Sequence, residues 1–92
     1  MQFEWDESKN LSNIQKHGID FADVPIMFER EMLSRLDDRF DYGEERWIGI
    51  GFIRRGVAVV VWTERYQNTI RIISARKANR YERRQFEAYI SN

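Results

Sequence analysis

The chain has 92 residues, 42% of them hydrophobic, with a formal net charge of zero and no cysteine. This length predicts one small domain over residues 1–92, and the lack of cysteine excludes a disulfide framework and thiolate metal ligands. No apolar run reaches the roughly 20 residues that cross a bilayer, and no signal-peptide pattern follows Met1. We therefore expect a soluble cytoplasmic protein with no membrane contact.

The charges are unevenly distributed along the chain. Residues 1–46 hold six Lys and Arg against twelve Asp and Glu, whereas residues 47–92 hold nine against three. Such a split is typical of a basic surface for nucleic acid or for an acidic partner. The alternative is that the two parts interleave in space and that their fields cancel.

The N-terminal part predicts one strand and two helices. Side chains alternate over Met1–Trp5, which indicates a short strand. A helix over residues 7–17 follows, with Asp6 as its N-cap and Gly18 as the left-handed residue that ends it. A second helix is expected to begin at Asp20 and to pack its apolar side chains on a sheet.

A strand over residues 31–36 leads into a polar loop at residues 37–45, whose acidic side chains we expect to be solvated. Residues 46–53 and 57–65 then form a hairpin, and the unbroken apolar run of the second strand marks it as central. The strand at 71–77 completes a three-stranded antiparallel meander.

The last strand carries basic residues at both ends. Strict alternation places Ile72, Ser74 and Arg76 on one face and Arg71, Ile73, Ala75 and Lys77 on the other. After it, Asn79 and Glu82 have the spacing of a capping box for a final helix. The predicted fold is therefore α+β, a twisted, mainly antiparallel sheet with two N-terminal helices and one C-terminal helix.

With these pieces in place, the chain resembles the BrnT family of type II toxins, which have a RelE-like ribonuclease fold. The segments that carry the resemblance extend over nearly the whole chain: Phe3–Glu7 with Lys9 and Asn10, Lys16–Gly18, Phe21, Phe28, Gly43–Arg46, Thr63–Arg65, Arg71–Lys77, Arg80, and Glu82 with Arg83. Only the region from Arg30 to Asp41 matches no motif.

The resemblance implies a small metal-independent endoribonuclease without a cofactor, which inhibits translation. It also implies two partners, an RNA substrate and a neighbouring antitoxin of the BrnA type, through which the complex contacts DNA.

Metal-free RNA cleavage uses the ribose 2′-hydroxyl as nucleophile, so it requires a base, cations for the phosphorane charge and an acid for the leaving oxygen. His17 or Glu64 is the candidate base, and Arg65 and Arg76 are candidates for charge stabilisation, because the arginine fork matches phosphate oxygens. The candidates for holding the RNA backbone are Lys9, Arg46, Lys77 and Arg80.

Structural roles compete with these assignments. His17 lies at a helix C-terminus, where its positive form is favoured without any catalytic role, and arginines of the last helix form an ordinary solvated face. The main alternative function is a non-catalytic module that binds nucleic acid or an acidic partner. A third interpretation is a structural partner that only tunes a repressor.

Overall fold

The computed structural model describes residues 1–92 and has an α+β architecture, as predicted. In chain order its elements are β1 (Gln2–Glu4), α1 (Glu7–His17), two 3₁₀ turns (Phe21–Asp23 and Pro25–Glu29), β2 (Met32–Leu36), β3 (Trp47–Ile53), β4 (Gly56–Arg65), β5 (Thr69–Lys77) and α2 (Arg80–Ser91). Neither α-helix combines the length and the apolar content that a membrane crossing requires.

The five strands form one mixed sheet in the order β1-β5-β4-β3-β2. The pairings among β2, β3, β4 and β5 are antiparallel, whereas β1 runs parallel to β5, with Gln2 opposite Thr69 and Glu4 opposite Arg71. The predicted meander is confirmed, and the sheet as a whole is mixed, because β1 is parallel to its neighbour. No local turn joins β1 to β5, so no hairpin requires the two strands to be antiparallel.

The predicted boundaries of α1 are confirmed. The Asp6 carboxylate accepts hydrogen bonds from the backbone N–H groups of Ser8 and Lys9 at 2.9 and 3.2 Å. Gly18 ends the helix with φ +71° and donates its N–H to the Ile14 carbonyl. Both ends are therefore determined by residues within one turn of them.

The second N-terminal helix predicted from Asp20 is wrong, because two short 3₁₀ turns occupy that segment. The Asp20 carboxylate accepts from the Ala22 N–H at 2.9 Å and starts the first turn. Pro25 begins the second turn and has no N–H to donate, so an i to i−4 ladder cannot run through it. The tighter turns still bury Phe21 and Met27 completely.

One face of the sheet holds the main core. Val60, Trp62 and Ile72 are buried there against the side chains of the 3₁₀ turns. Asn13 of α1 accepts from the Ala75 N–H at 3.2 Å and donates to the Ala75 carbonyl at 2.8 Å. The Asn13 amide thus occupies the place of a strand neighbour where β5 extends beyond the short β1.

Helix α2 packs on the opposite face. The predicted capping box is confirmed, since the Asn79 side chain accepts from the Glu82 N–H at 2.8 Å and the Glu82 carboxylate accepts from the Asn79 N–H at 2.9 Å. Phe86 is fully buried and packs edge-on against Phe52, with ring centroids 5.0 Å apart. The helix starts next to the end of β5.

Candidate functional site

A β-bulge in β5 decides which of its side chains share a face. The pairing of β4 with β5 shifts between Val61 and Trp62, so Ile73 is an extra residue in β5. An extra residue reverses the alternation of side chains that follow it. Arg71 and Arg76 therefore lie on the same face, and the prediction that they lie on opposite faces is wrong.

We call this side of the sheet the arginine face, defined by Arg35, Arg65, Arg71 and Arg76. The register places Arg35 of β2 opposite an isoleucine of β3, and Arg65 at the end of β4 opposite the first residue of β5. By this register, all four side chains lie on the face opposite to the core residues Val60, Trp62 and Ile72.

Helix α2 covers only part of the arginine face. Its Glu82 and Gln85 line a groove with Arg35 of the edge strand. Further along the sheet, Val61 and Ser74 remain partly exposed. Part of the arginine face is therefore a solvent-accessible sheet surface, with arginines on three strands around it.

Arg76 and Glu82 form the most ordered ion pair of this face. Nη1 and Nη2 of Arg76 each donate to one Glu82 carboxylate oxygen at 2.8 Å, and Nη1 also donates to the Lys77 carbonyl at 3.3 Å. The Nε–H and the outer Nη2 hydrogen have no partner, and the side chain is 40% exposed. That free edge offers the two parallel donors that match two phosphate oxygens.

A second group of charges lies at the far end of the face. Glu4 of β1 accepts from Nη1 of Arg71 at 3.0 Å, and Nη1 of Arg65 lies 3.9 Å from the same oxygen. Arg65 pairs with Thr69, seven residues before Arg76. At about 3.3 Å per strand residue, Arg65 and Arg76 are roughly 20 Å apart.

The loop over residues 37–46 is built around a buried carboxylate. Asp37 donates its N–H to the Arg46 carbonyl at 2.7 Å, and its carboxylate accepts from Nε and Nη2 of Arg39 at 2.7 and 2.8 Å and from the Tyr42 hydroxyl at 3.1 Å. Arg46 lies over the Tyr42 ring at 4.1 Å. The expectation of a solvated acidic loop is therefore wrong for Asp37, because Arg39 and Tyr42 donate to its carboxylate in place of water.

These pairs change the pKa values of their members. Hydrogen bonds from Arg39 lower the pKa of Asp37 to about 2, against the opposing effect of burial. Hydrogen bonding between Arg76 and Glu82 raises the pKa of the arginine and lowers that of the glutamate. Burial and, to a smaller extent, the like charge of Arg39 oppose the rise in the pKa of Arg76.

The structure does not bring the four predicted catalytic residues together. Arg76 and Arg65 occupy the two ends of the arginine face. Glu64 is exposed and lines a groove with Arg65 at the sheet end, but it pairs with Ile70, so its side chain points to the core side. His17 is exposed at the end of α1, in the layer that covers the core face.

The four predicted RNA-backbone contacts are also dispersed. Lys9 is exposed in the first turn of α1, and Arg46 precedes β3 with its guanidinium over an aromatic ring. Lys77 is exposed at the end of β5, on the core side of the strand. Arg80 is exposed as the first residue of α2, two positions before Glu82. Of these four, Lys77 directly follows Arg76, and Arg80 lies in the segment between Arg76 and Glu82.

Sequence reasoning missed three residues of this region. Glu82 was recognised only as a helix cap, although its spacing of six residues from Arg76 allows contact across the turn between β5 and α2. For Asp37 and Arg39, the only signal in the sequence is an acidic residue two positions before a basic one. This spacing is common on solvated surfaces. No three His, Asp or Glu side chains converge in the manner of a metal site.

Comparisons with known proteins identify a family and a solved structure that are similar to this chain. The sequence profile of the family described as ribonuclease toxin, BrnT, of type II toxin-antitoxin system matches residues 5–82. The fold is similar to the crystal structure of the Brucella abortus ribonuclease toxin, BrnT, with a TM-score of 0.66 and 26% identity over 87% of this chain and 99% of that chain. Among curated proteins, no sequence matches.

Proposed function

The chain belongs to the BrnT family of ribonuclease toxins of type II toxin-antitoxin systems, and on that basis we propose that it cleaves RNA on the arginine face without a metal ion. The nucleophile is the ribose 2′-hydroxyl next to the scissile phosphate. As the 2′-oxygen attacks the phosphorus, its proton passes to water and the leaving 5′-oxygen takes a proton from water. One fragment then has a 2′,3′-cyclic phosphate and the other a 5′-hydroxyl, and DNA, which lacks the 2′-hydroxyl, is not a substrate.

We place the scissile phosphate at Arg76. The observation that carries this placement is the guanidinium with one edge held by Glu82 and the other edge free. A cation held in advance stabilises developing negative charge without reorganising during the reaction, and this is commonly the largest single contribution to catalysis.

The remaining arginines of the face would hold neighbouring phosphates. Arg71 and Arg65 lie at the far end, too far from Arg76 to contact the same phosphate. Their guanidinium groups share one carboxylate, Glu4, at 3.0 and 3.9 Å. Two cations facing one anion leave a net positive charge for the RNA backbone.

A second candidate position is the groove at the end of the sheet. It is lined by Glu64, Arg65, Thr63 and Trp47, together with Glu44 and Glu45. There Glu64 would accept the 2′-hydroxyl proton and Arg65 would stabilise the phosphorane. His17, in the other layer, could reach neither position without movement of α1.

We further propose an antitoxin of the BrnA type as the neutralising partner, which binds DNA while it covers the toxin. The cytoplasm, where RNA substrates are translated, is the proposed site of action. The alternative function is a module that binds RNA without cleaving it, and the exposed part of the arginine face is compatible with binding alone.

The decisive experiment is incubation of the purified, antitoxin-free protein with end-labelled RNA in excess chelator. We expect fragments with 2′,3′-cyclic phosphate ends, and a loss of at least about 100-fold in the single-turnover rate for Arg76→Ala, with RNA affinity reduced less than about tenfold. Intact but bound RNA would support the non-catalytic module.

The same assay separates the two positions for the reaction. With the phosphate at Arg76, Glu64→Gln and His17→Gln keep most of the cleavage rate. A large loss in Glu64→Gln and Arg65→Ala, with Arg76→Ala nearly active, would place the reaction in the groove at the sheet end. A dominant loss in His17→Gln would contradict both positions.

A further inference from the structure

Four cationic side chains surround a pocket at the end of the sheet opposite to Arg65. Arg54 and Arg55 come from the turn between β3 and β4, Lys77 ends β5, and Arg83 belongs to the first turns of α2. We call this the turn pocket. Gly18 at the end of α1 closes its remaining side.

The charges of the turn pocket are not neutralised within the protein. Asp23 is the only carboxylate residue among its lining side chains. None of the four cations takes part in a salt bridge, although the chain forms such pairs elsewhere. All four are exposed. Like charges that converge without counter-ions repel one another, and an anion relieves that repulsion.

The turn pocket is continuous with the arginine face. Arg76 and Lys77 are neighbours on β5 with opposite orientations, and the first donates to the carbonyl of the second. On α2, Glu82 holds Arg76, and the next residue, Arg83, lines the pocket. A strand of RNA leaving the arginine face at Arg76 therefore meets the turn pocket directly around the sheet end.

We infer that the turn pocket is a phosphate-binding site, which takes either an internal phosphate of an RNA strand that continues past Arg76 or a terminal 5′-phosphate. The inference rests on the proposed function, since the RNA must lie on the arginine face. The pocket contributes to substrate binding and to the minimum substrate length, and it makes no contact with the reacting atoms.

The test uses the full chain with Arg54→Ala, Arg55→Ala and the double variant. Binding and single-turnover cleavage are measured on RNAs of roughly 4 and roughly 16 nucleotides, the range that small domains cover. Each length is prepared with a 5′-phosphate and with a 5′-hydroxyl. Arg84→Ala is the matched control, because it removes the same charge from α2 outside the pocket.

For the double variant we expect a loss of roughly tenfold in affinity for the long RNA. The slope of log affinity against log salt should fall by about 0.7, the value for one phosphate of a single strand that the variant no longer binds. The cleavage rate at saturating RNA should not change. Weaker binding of the long RNA alone identifies an internal phosphate, and weaker binding of short RNA only with a 5′-phosphate identifies the terminal group.

The inference is overturned if the wild type binds and cleaves the long RNA but the double variant has the same affinity and salt slope as Arg84→Ala. Absence of cleavage by the wild type would instead count against the proposed function. Thermal unfolding of each variant checks that the turn substitutions leave the fold intact.

Discussion

The guanidinium of Arg76 and the carboxylate of Glu82 are joined by two hydrogen bonds of 2.8 Å each. The same carboxylate closes the capping box of α2 by accepting from the Asn79 N–H. One side chain thus ties the end of β5, the start of α2 and the orientation of the arginine together. Its removal should affect both the helix terminus and the reaction.

Glu82→Gln should lower the single-turnover cleavage rate about tenfold or more. The amide can accept only one of the two hydrogen bonds from Arg76, and the negative charge that orients the guanidinium is lost. RNA affinity should be unchanged or higher, since a negative charge has left the face. Rate and affinity are measured separately by titrating RNA at fixed enzyme. Glu87→Gln on the exposed part of α2 is the control, and an unchanged rate in Glu82→Gln would contradict a positioning role.

Arg65→Ala should reduce RNA affinity uniformly across sequences, with a salt slope smaller by about 0.7, because the side chain is proposed to contact one backbone phosphate. Arg84→Ala removes an equal charge from the exposed side of α2 and should leave the slope unchanged. Filter binding between low and physiological salt measures both. Identical slopes for Arg65→Ala and the wild type would remove Arg65 from the RNA contact.

The Asp37 pair predicts a pH-dependent part of stability. The pKa of Asp37 is lowered to about 2 in the folded protein, so the folded state binds fewer protons than the unfolded state. This stabilisation is fully present above about pH 4 and is lost as the pH falls towards 2. Its size is on the order of 1–2 kcal/mol, since the half-exposed Arg39 is screened by solvent.

Asp37→Asn should therefore be destabilised near neutral pH and should lose less stability than the wild type between pH 4 and pH 2. Urea unfolding at pH 6, 4, 3 and 2 measures how the free energy of unfolding changes with pH in the variant and in the wild type. Asp38→Asn, an exposed neighbour, is the matched control. Parallel curves for Asp37→Asn and the wild type would contradict a stabilising ion pair.

Gly49 of β3 is required by close packing. A Cβ there would lie 2.9 Å from Cζ3 of Trp62 and closer still to the sulfur of Met32, whereas at Gly51 the nearest atom is 3.4 Å away. Gly49→Ala should lower the free energy of unfolding by about 1–3 kcal/mol through overpacking. Gly51→Ala should leave it unchanged or raise it by up to about 1 kcal/mol. Equal urea midpoints would contradict this difference.

Local signals predicted much of the fold. The caps at Asp6, Gly18 and Asn79 lie within one turn of the helix ends that they stabilise, so both boundaries of α1 and the start of α2 could be read directly. The segment after Asp20 was harder, because apolar spacing alone does not distinguish an α-helix from 3₁₀ turns that bury the same side chains. Pro25 was the visible sign against a continuous helix.

The candidate site was less predictable than the fold. Lone charges in the sequence do not indicate which of them will be paired, and Asp37 was grouped with solvated neighbours although it is buried. Its burial depends on Arg39, Tyr42 and the backbone of Arg46 closing around it. Such a network is visible only when the loop has its final shape.

The sequence by itself determined the α+β class, the meander, both helix caps and the family, because each depends on residue types at short, fixed spacings. Only the tertiary structure decided that Arg71 and Arg76 share a face and that β1 runs parallel to β5. A single extra residue at Ile73 reverses the orientation of every side chain after it. The position of this bulge is set by the pairing of β5 with β4, and no residue type in β5 indicates it.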